Sequence, residues 1–140
     1  MATHLPSRTI NPVHAVLLAS ALPLILGAVL SDWVYTKTFV VQWNNFAAWL
    51  NAGAMVFIGF ATLWAVIDIF RRDVRRDRPA ALLVLVLIVA FVLGMIAAFV
   101  HTKDAYAPMP AALVLDLLVL LLVLVATWLG FSTIRSGVAR

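Results

Sequence analysis

The sequence predicts an all-α fold, a four-helix bundle embedded in a membrane, and three observations support it. Of the 140 residues, 65% are hydrophobic and only 11% are charged, whereas soluble globular domains carry about 25% charged residues. Four stretches are long and apolar enough to cross a hydrocarbon core, which takes roughly 20 residues. Polar or helix-breaking residues separate these stretches. We therefore treat residues 1–140 as a single four-span membrane domain.

The four predicted spans cover residues 13–30, 46–70, 80–100 and 111–131. Each is apolar throughout most of its length and is bounded by residues that are costly in lipid or that disfavour helix continuation. These boundary residues are Asn11-Pro12 and Ser31-Asp32 around the first span, Arg71-Arg72 after the second, Pro79 and His101 around the third, and Pro108 and Pro110 before the fourth. Pro23 lies inside the first span and predicts a kink there.

The basic residues predict the orientation. Cytoplasmic loops of membrane proteins are enriched in Lys and Arg, and here one side carries Arg8, Arg71, Arg72, Arg75, Arg76, Arg78, Arg135 and Arg140, whereas the other carries only Lys37 and Lys103. We therefore expect both termini and the middle loop to be cytoplasmic. The outer side then holds two loops, residues 31–45 and 101–110. The net charge of +4 reports this topology and a weak attraction to anionic lipid, and does not indicate nucleic acid.

Small residues recur along each span at alternating steps of three and four, the spacing of one helix face. Helices in lipid pack through such faces. The predicted faces are His14, Leu17, Ala21, Leu24, Ala28 and Ser31; Ala47, Asn51, Ala54, Ile58, Ala61, Ala65 and Asp68; Leu83, Leu87, Ala90, Gly94, Ala97 and His101; and Ala112, Asp116, Val119, Val123, Ala126 and Gly130. On the first span, Ser20 and Gly27 offer a competing face. Every face includes a polar side chain, which we expect inside the bundle.

Depth along the helices sorts the polar residues into two clusters. Asn51, His101 and Asp116 lie near the predicted outer face, and we take them as candidates for a ligand pocket. The outer loops add docking candidates, namely Asp32, Trp33, Tyr35, Trp43 and Tyr106. The cytoplasmic side gathers His14, Asp68, Arg71 and Arg72.

Simpler structural roles compete with these interpretations. Asp116 would serve equally as a hydrogen-bonding partner of Asn51 or His101, and Asp68 as a surface ion pair with the nearby arginines. The outer aromatic residues would serve equally as an interfacial belt.

The composition excludes much catalytic chemistry. The chain contains no cysteine and no glutamate, so it has no thiolate nucleophile and no Cys-ligated metal site. It has no nucleotide-binding loop, no HExxH motif and no Ser/His/Asp set. A bis-histidine haem is also disfavoured, because His14 and His101 are expected at opposite membrane faces, roughly 30 Å apart. We expect no catalytic activity from the chain on its own, and no metal unless His14 or His101 holds a haem.

Short motifs along nearly the whole chain give it a resemblance to a known family. They are Asn11-Pro12-Val13-His14, Asp32 closing the first span, Ala48-Trp49-Leu50 with Gly53, Asp68 closing the second span, Trp128-Leu129-Gly130, and Gly137-Val138. With these motifs the chain resembles the DUF2231 family of predicted bacterial membrane proteins. Members of that family commonly carry histidines where this chain has Asn11, the segment 19–23 and Ser136, so of that set only His14 is present here.

The resemblance implies a respiratory setting, because such relatives occur beside c-type cytochromes and periplasmic sugar dehydrogenases. Our leading hypothesis is a noncatalytic subunit of the bacterial inner membrane that anchors an outer redox enzyme or presents quinone to it from a pocket near Asn51, His101 and Asp116. Its partners would be lipid and that enzyme, and quinone is the favoured cofactor. The first alternative is a cytochrome b-like haem carrier that uses His14 or His101. The second is a small proton-coupled transporter that uses Asp116 and Asp68.

Overall fold

A computed structural model of the chain describes residues 11–70, 78–103 and 106–138, and the side chains of all of these except 78–79 and 133–138. The described residues form four helices and no strands. The helices are α1, Pro12–Thr38; α2, Val41–Phe70; α3, Arg78–His101; and α4, Ala111–Val138. Each is long and apolar enough to cross a membrane. The predicted all-α, multi-pass architecture is therefore confirmed.

The helices extend beyond the predicted spans, and the largest difference lies between the first two. The prediction of a loop over residues 31–45 is wrong, because α1 continues to Thr38 and α2 begins at Val41. Ser31 and Asp32 do not end the helix because both face the bundle interior, where the Ser31 hydroxyl donates to the Gly27 carbonyl at 2.7 Å.

This extension changes the setting of the docking candidates. Asp32, Trp33 and Tyr35 lie on α1, and Trp43 lies on α2. Tyr106 remains in the connection between α3 and α4.

Local signals fix both ends of α1. Asn11 accepts a hydrogen bond from the Val13 amide at 2.9 Å, and Pro12 occupies the first turn, where its missing amide costs nothing. At the other end Phe39 adopts a left-handed conformation, with φ of 55°, and donates its amide to the Tyr35 carbonyl. Glycine is the usual residue at such a position, so Phe39 keeps an aromatic side chain at a conformational cost of about 1–2 kcal/mol.

The helices pack in a ring. α1 contacts α2, α2 contacts α3, α3 contacts α4, and α4 closes the ring against α1. Short connections place consecutive helices antiparallel, so α1 and α3 lie diagonally opposite. The predicted face of α3 is buried from Leu87 onward, and that of α4 from Ala112 onward, as far as their side chains are described. The predicted face of α2 is buried from Ala47 to Ala65.

On α1 the predicted face is partly wrong. Leu18 and Ile25 are fully buried, whereas the predicted Leu17 and Leu24 are only partly buried and pack against the edge of the core. Leu24 reaches toward Gly53 of α2, because alanines and glycines bring the two helices close enough for neighbouring rows of side chains to meet.

Candidate functional site

Three ionisable side chains from three helices meet inside one end of the bundle. They are Asp32 of α1, His101 at the end of α3, and Asp116 in the second turn of α4. All three side chains are completely buried, at 0% exposure. We call them the triad, and we call the end of the bundle where α1 and α3 finish the triad end.

The backbone brings these residues together because each continues a buried helix face. Asp32 follows Ala28 by four residues, His101 follows Ala97 by four, and Asp116 follows Ala112 by four, and all three alanines are fully buried. Residues four apart lie on the same side of a helix. The small alanines let the helices approach closely enough for the longer polar side chains to meet across the centre.

His101 is the centre of the triad. Its Nδ1 lies 2.8 Å from the Ala97 carbonyl oxygen, which can only accept, so Nδ1 carries the proton. Its Nε2 lies 3.1 Å from Oδ1 of Asp32 and 3.9 Å from Oδ2 of Asp116. Because Asp32 lies on α1 and His101 on α3, this 3.1 Å contact crosses the diagonal of the bundle, and it becomes a hydrogen bond when one of the two groups takes up a proton.

Helix α2, which contributes no member of the triad, joins this arrangement through two asparagines. Asn44 donates from Nδ2 to the backbone carbonyl of His101 at 3.3 Å, and Asn51 donates to the backbone carbonyl of Gly94 at 3.0 Å. Both asparagines are buried. Seven residues separate them, or about 10 Å along the helix. α2 therefore holds α3 by two side-chain bonds, one of them at the level of the triad.

Several buried oxygens near this end have no hydrogen-bond partner in the described part of the chain. Both carboxylate oxygens of Asp116 are among them, as are Oδ2 of Asp32 and the Oδ1 atoms of Asn44 and Asn51. Buried polar atoms are normally paired, and an unpaired buried carboxylate is among the most costly groups in a protein. The arrangement is therefore rich in acceptors and poor in donors.

The charge balance points the same way. If both aspartates are ionised and His101 is neutral, the triad carries two negative charges in a region without water access. The lysines, Lys37 and Lys103, are both exposed. A neutral triad requires two additional positive charges, supplied by protons or by a cation.

An apolar layer separates the triad from the surface. Tyr35, Met109 and Ala112 form a buried cluster with contributions from Val100 and Leu113. Tyr35 lies three residues after Asp32, and Ala112 lies four residues before Asp116, so the cluster lies about one helical turn closer to the end of the bundle.

Aromatic rings continue this layer outward. The Tyr106 ring lies 5.6 Å from the ring of Tyr35 and 5.0 Å from that of Phe39, as measured between centroids. Aromatic pairs at these separations attract one another. The connection between α3 and α4 therefore lies across the triad end.

The structure joins two of the three predicted pocket residues, His101 and Asp116. Asn51 bonds instead to Gly94, two turns before His101 on α3. Sequence reasoning missed Asp32 as a member of the site because it assigned this residue to a loop. It also missed Asn44. The available signal was the spacing, since Asp32 extends the series Ala21, Ile25 and Ala28 on one face of α1.

The predicted cytoplasmic cluster lies at the opposite end of the bundle. His14 is buried with its Nε2 unpaired, and Trp64 has an unpaired buried Nε1. Asp68 is half-buried and close enough for its charge to act on His14. Arg71 and Arg72 lie outside the described residues. Eighteen residues separate His14 from Asp32, or about 27 Å along α1, so His14 and His101 do not share a ligand.

An apolar groove of about 510 Å³ runs along the outside of α2 and α3. It extends from the level of Ala52 and Ala98 to that of Leu63, which is about 16 Å along α2. Its wall is formed by Ala52, Met55, Val56, Gly59, Phe60, Leu63, Phe91, Met95 and Ala98. Met55 also packs over Gly94, whose carbonyl accepts the Asn51 bond, so one side chain separates the groove from the polar interior.

These two features differ in the ligands they could hold. The triad offers one imidazole nitrogen and carboxylate oxygens, which are donors for a hard or borderline metal ion. The groove offers only hydrocarbon and suits an acyl or isoprenoid chain. A haem iron on His101 would have to displace Asp32 from Nε2.

Four helices that are long and apolar enough to span a membrane, closed around a buried Asp–His–Asp cluster, define a multi-pass membrane protein with a polar site inside the bundle. The family model described as predicted membrane protein (DUF2231) matches residues 10–138, and the chain belongs to this family, as its short motifs predicted. Neither the curated proteins nor the solved structures include a match to the chain.

Proposed function

We propose that this chain is an accessory subunit of a larger membrane complex, and that a cation held at the triad fixes the end of the bundle that docks a partner protein. The observation that carries the proposal is the position of the triad. It lies directly beneath the layer formed by Tyr35 and Met109 and the surface aromatic rings of Phe39 and Tyr106. A change in the occupancy of the triad is therefore expected to alter the packing of that surface first.

The core beneath the triad favours this role over a transporter. Apart from Asn51, the fully buried side chains described between the triad and His14 are apolar, among them Ile25, Ile58, Leu87 and Val123. A polar route for a proton or an ion would have to pass through this packed layer. A cation at the triad is therefore expected to enter and leave from the triad end, which suits a binding site better than a pathway.

The surface of the triad end supports docking. Phe39 is 66% exposed and Trp33 is 54% exposed, and Tyr106 and Trp43 also present their rings to the surroundings. Phe39 keeps its ring at a backbone position where glycine would be less strained. In the orientation predicted from the basic residues this surface faces the periplasm of a bacterial inner membrane. We infer that the partner is an outer redox protein, as the family resemblance implies.

Photo-crosslinking tests the proposal. A photoreactive amino acid at Tyr106 should capture a discrete protein in native membranes, whereas the same group at Phe60, which is exposed on the groove side, should not. The captured protein should carry a redox cofactor, identified by its spectrum and by mass spectrometry. Asp32→Asn and Asp116→Asn should abolish capture while the protein still inserts at normal levels. Undiminished capture by both variants would refute the link between triad and docking.

A second function, presentation of quinone, is favoured by the groove on α2 and α3. Its apolar wall and its length of about 16 Å suit several isoprene units. The end of the groove nearer the triad lies beside Ala98, three residues before His101. Solvent extraction of purified protein should then recover quinone. Ala98→Phe, which fills the end of the groove nearer the triad, should reduce the yield of quinone. Leu121→Phe on the exposed face of α4 should leave that yield unchanged. An equal yield from both variants would show that quinone does not occupy the groove.

A further inference from the structure

We propose that the triad binds one divalent first-row transition-metal ion, held by Nε2 of His101, a carboxylate oxygen of Asp32 and a carboxylate oxygen of Asp116. The inference rests on the proposed function, because it identifies the cation that the triad holds. It assigns to Asp32 and Asp116 a direct bond to the ion.

The distances suit one ion. A metal bound at about 2.1 Å from each donor allows two donors to be at most about 4.2 Å apart. Nε2 lies 3.1 Å from the nearer Asp32 oxygen and 3.9 Å from the nearer Asp116 oxygen, and all three ligand atoms lie within 4.8 Å of one another. A small rotation of one carboxylate brings all three pairs into range.

The histidine is already oriented for coordination. Ligating histidines almost always donate their second ring nitrogen to a carbonyl or a carboxylate, which fixes the ring and directs the free lone pair at the metal. Here Nδ1 donates to the Ala97 carbonyl at 2.8 Å, and Nε2 is aimed between the two aspartates. Without a cation or an added proton, that lone pair would face carboxylate oxygens.

The unpaired oxygens supply independent support. Asp116 is completely buried, its carboxylate points into the triad, and neither of its oxygens has a hydrogen-bond partner in the described structure. A bound ion would give it the partner that it lacks. Two carboxylates and one divalent ion also sum to zero charge, which is the state that burial among membrane helices favours.

The donor set selects the class of metal. Calcium takes six to eight oxygen ligands and magnesium retains most of its water, and neither demand is met in a dry cluster that includes an imidazole. Copper(I) prefers sulfur donors, and the chain has no cysteine. One imidazole with two carboxylates suits Zn²⁺, Fe²⁺, Co²⁺ or Mn²⁺.

Metal stoichiometry tests the site directly. The full-length protein is reconstituted in lipid nanodiscs, stripped with a chelator, dialysed against Zn²⁺ and analysed by mass spectrometry of the metal. The wild type should retain about one ion per chain, and His101→Gln and Asp116→Asn should lower the affinity by at least about tenfold. Matched controls at the opposite end, His14→Gln and Asp68→Asn, should bind as the wild type does.

Spectroscopy of the unmutated protein covers the case in which a triad variant fails to fold. Co²⁺ should produce visible d–d absorption, and X-ray absorption of the zinc form should show one imidazole in an otherwise oxygen shell. No bound ion in the wild type, or binding unchanged in His101→Gln, would overturn the metal site. If no metal binds and the triad variants still abolish the Tyr106 crosslink, only the metal assignment fails. If the metal binds and the crosslink survives in those variants, the proposed function fails.

Discussion

Replacing Asp116 by asparagine should make the cation-free protein more stable than the wild type. The triad places two fully buried carboxylates with ligand oxygens within 4.8 Å of each other. Two unit charges at that separation repel by about 3.5 kcal/mol at an effective dielectric constant of 20. Asparagine keeps the size and shape of the side chain and removes one charge. Since the wild type relieves part of the repulsion by rotating a carboxylate or by taking up a proton, we expect a net gain of about 1–3 kcal/mol.

The assay is reversible unfolding in mixed micelles, with the mole fraction of denaturing detergent as the variable and a chelator present throughout. In chelator, Asp116→Asn should unfold at a higher detergent fraction than the wild type. Zn²⁺ at about 1,000 times its dissociation constant should reverse this order, because it stabilises the folded wild type by about 4.1 kcal/mol, which exceeds the gain expected from the substitution. The variant lacks a ligand and should gain little.

Asp68→Asn is the control, since Asp68 is half-buried at the other end of the bundle. It should change the free energy of unfolding by less than about 0.5 kcal/mol in either condition. If Asp116→Asn is less stable than the wild type in chelator, Asp116 stabilises the fold as a hydrogen-bonding group and the charge argument is wrong.

Other variants test the packing, the polar bonds and the topology. Gly53→Ala should raise stability by about 0.5–1 kcal/mol through helix propensity, since its Cβ meets Leu24 only at an ordinary 3.5 Å. Gly94→Ala should gain less, because its Cβ would displace the flexible end of the Met55 side chain; equal gains from both would refute the role of Met55. Asn51→Leu should lower the free energy of unfolding by about 0.6–2 kcal/mol through loss of the bond to Gly94. The same unfolding titration measures this, and an unchanged free energy would show that the bond adds nothing to stability. The chain has no cysteine, so single introduced cysteines report the topology. A cysteine in place of Lys103 should react with an impermeant maleimide in intact cells, and a cysteine in place of Phe70 only after permeabilisation; the reverse pattern would show that the predicted topology is inverted.

The fold was largely predictable from the sequence because lipid imposes a simple rule. Apolar stretches of sufficient length form helices, and the small-residue faces identified their buried sides, as at Ala54, Ala90 and Ala126. The helix ends were less predictable. Ser31 and Asp32 look like the end of a membrane span because they are polar, but a polar residue on a buried face does not interrupt a helix. Hydropathy averages around the helix and does not distinguish the two cases.

The site was predictable only in part for the same reason. His101 and Asp116 could both be placed near the outer face on helix faces that point inward, and the structure brings them to 3.9 Å. Asp32 was assigned to a loop near His101 and was therefore taken as a docking candidate and not as a pocket residue. The diagonal contact between α1 and α3 depends on how all four helices are arranged around the ring, and no local pattern in either helix specifies it.

The position of the triad explains how a small ligand could influence a large surface. Its three members come from α1, α3 and α4, and Asn44 ties α2 to the His101 carbonyl, so a ligand at this point acts on all four helix ends together. Toward the other end the contacts are mostly between alanines and branched aliphatic side chains, which lack directional bonds and set orientation weakly. The order of the triad end therefore depends on a few polar atoms whose charge is unbalanced unless protons or a cation are taken up. A bundle of this design can alter its aromatic surface by filling or emptying one site while the membrane-spanning core remains packed.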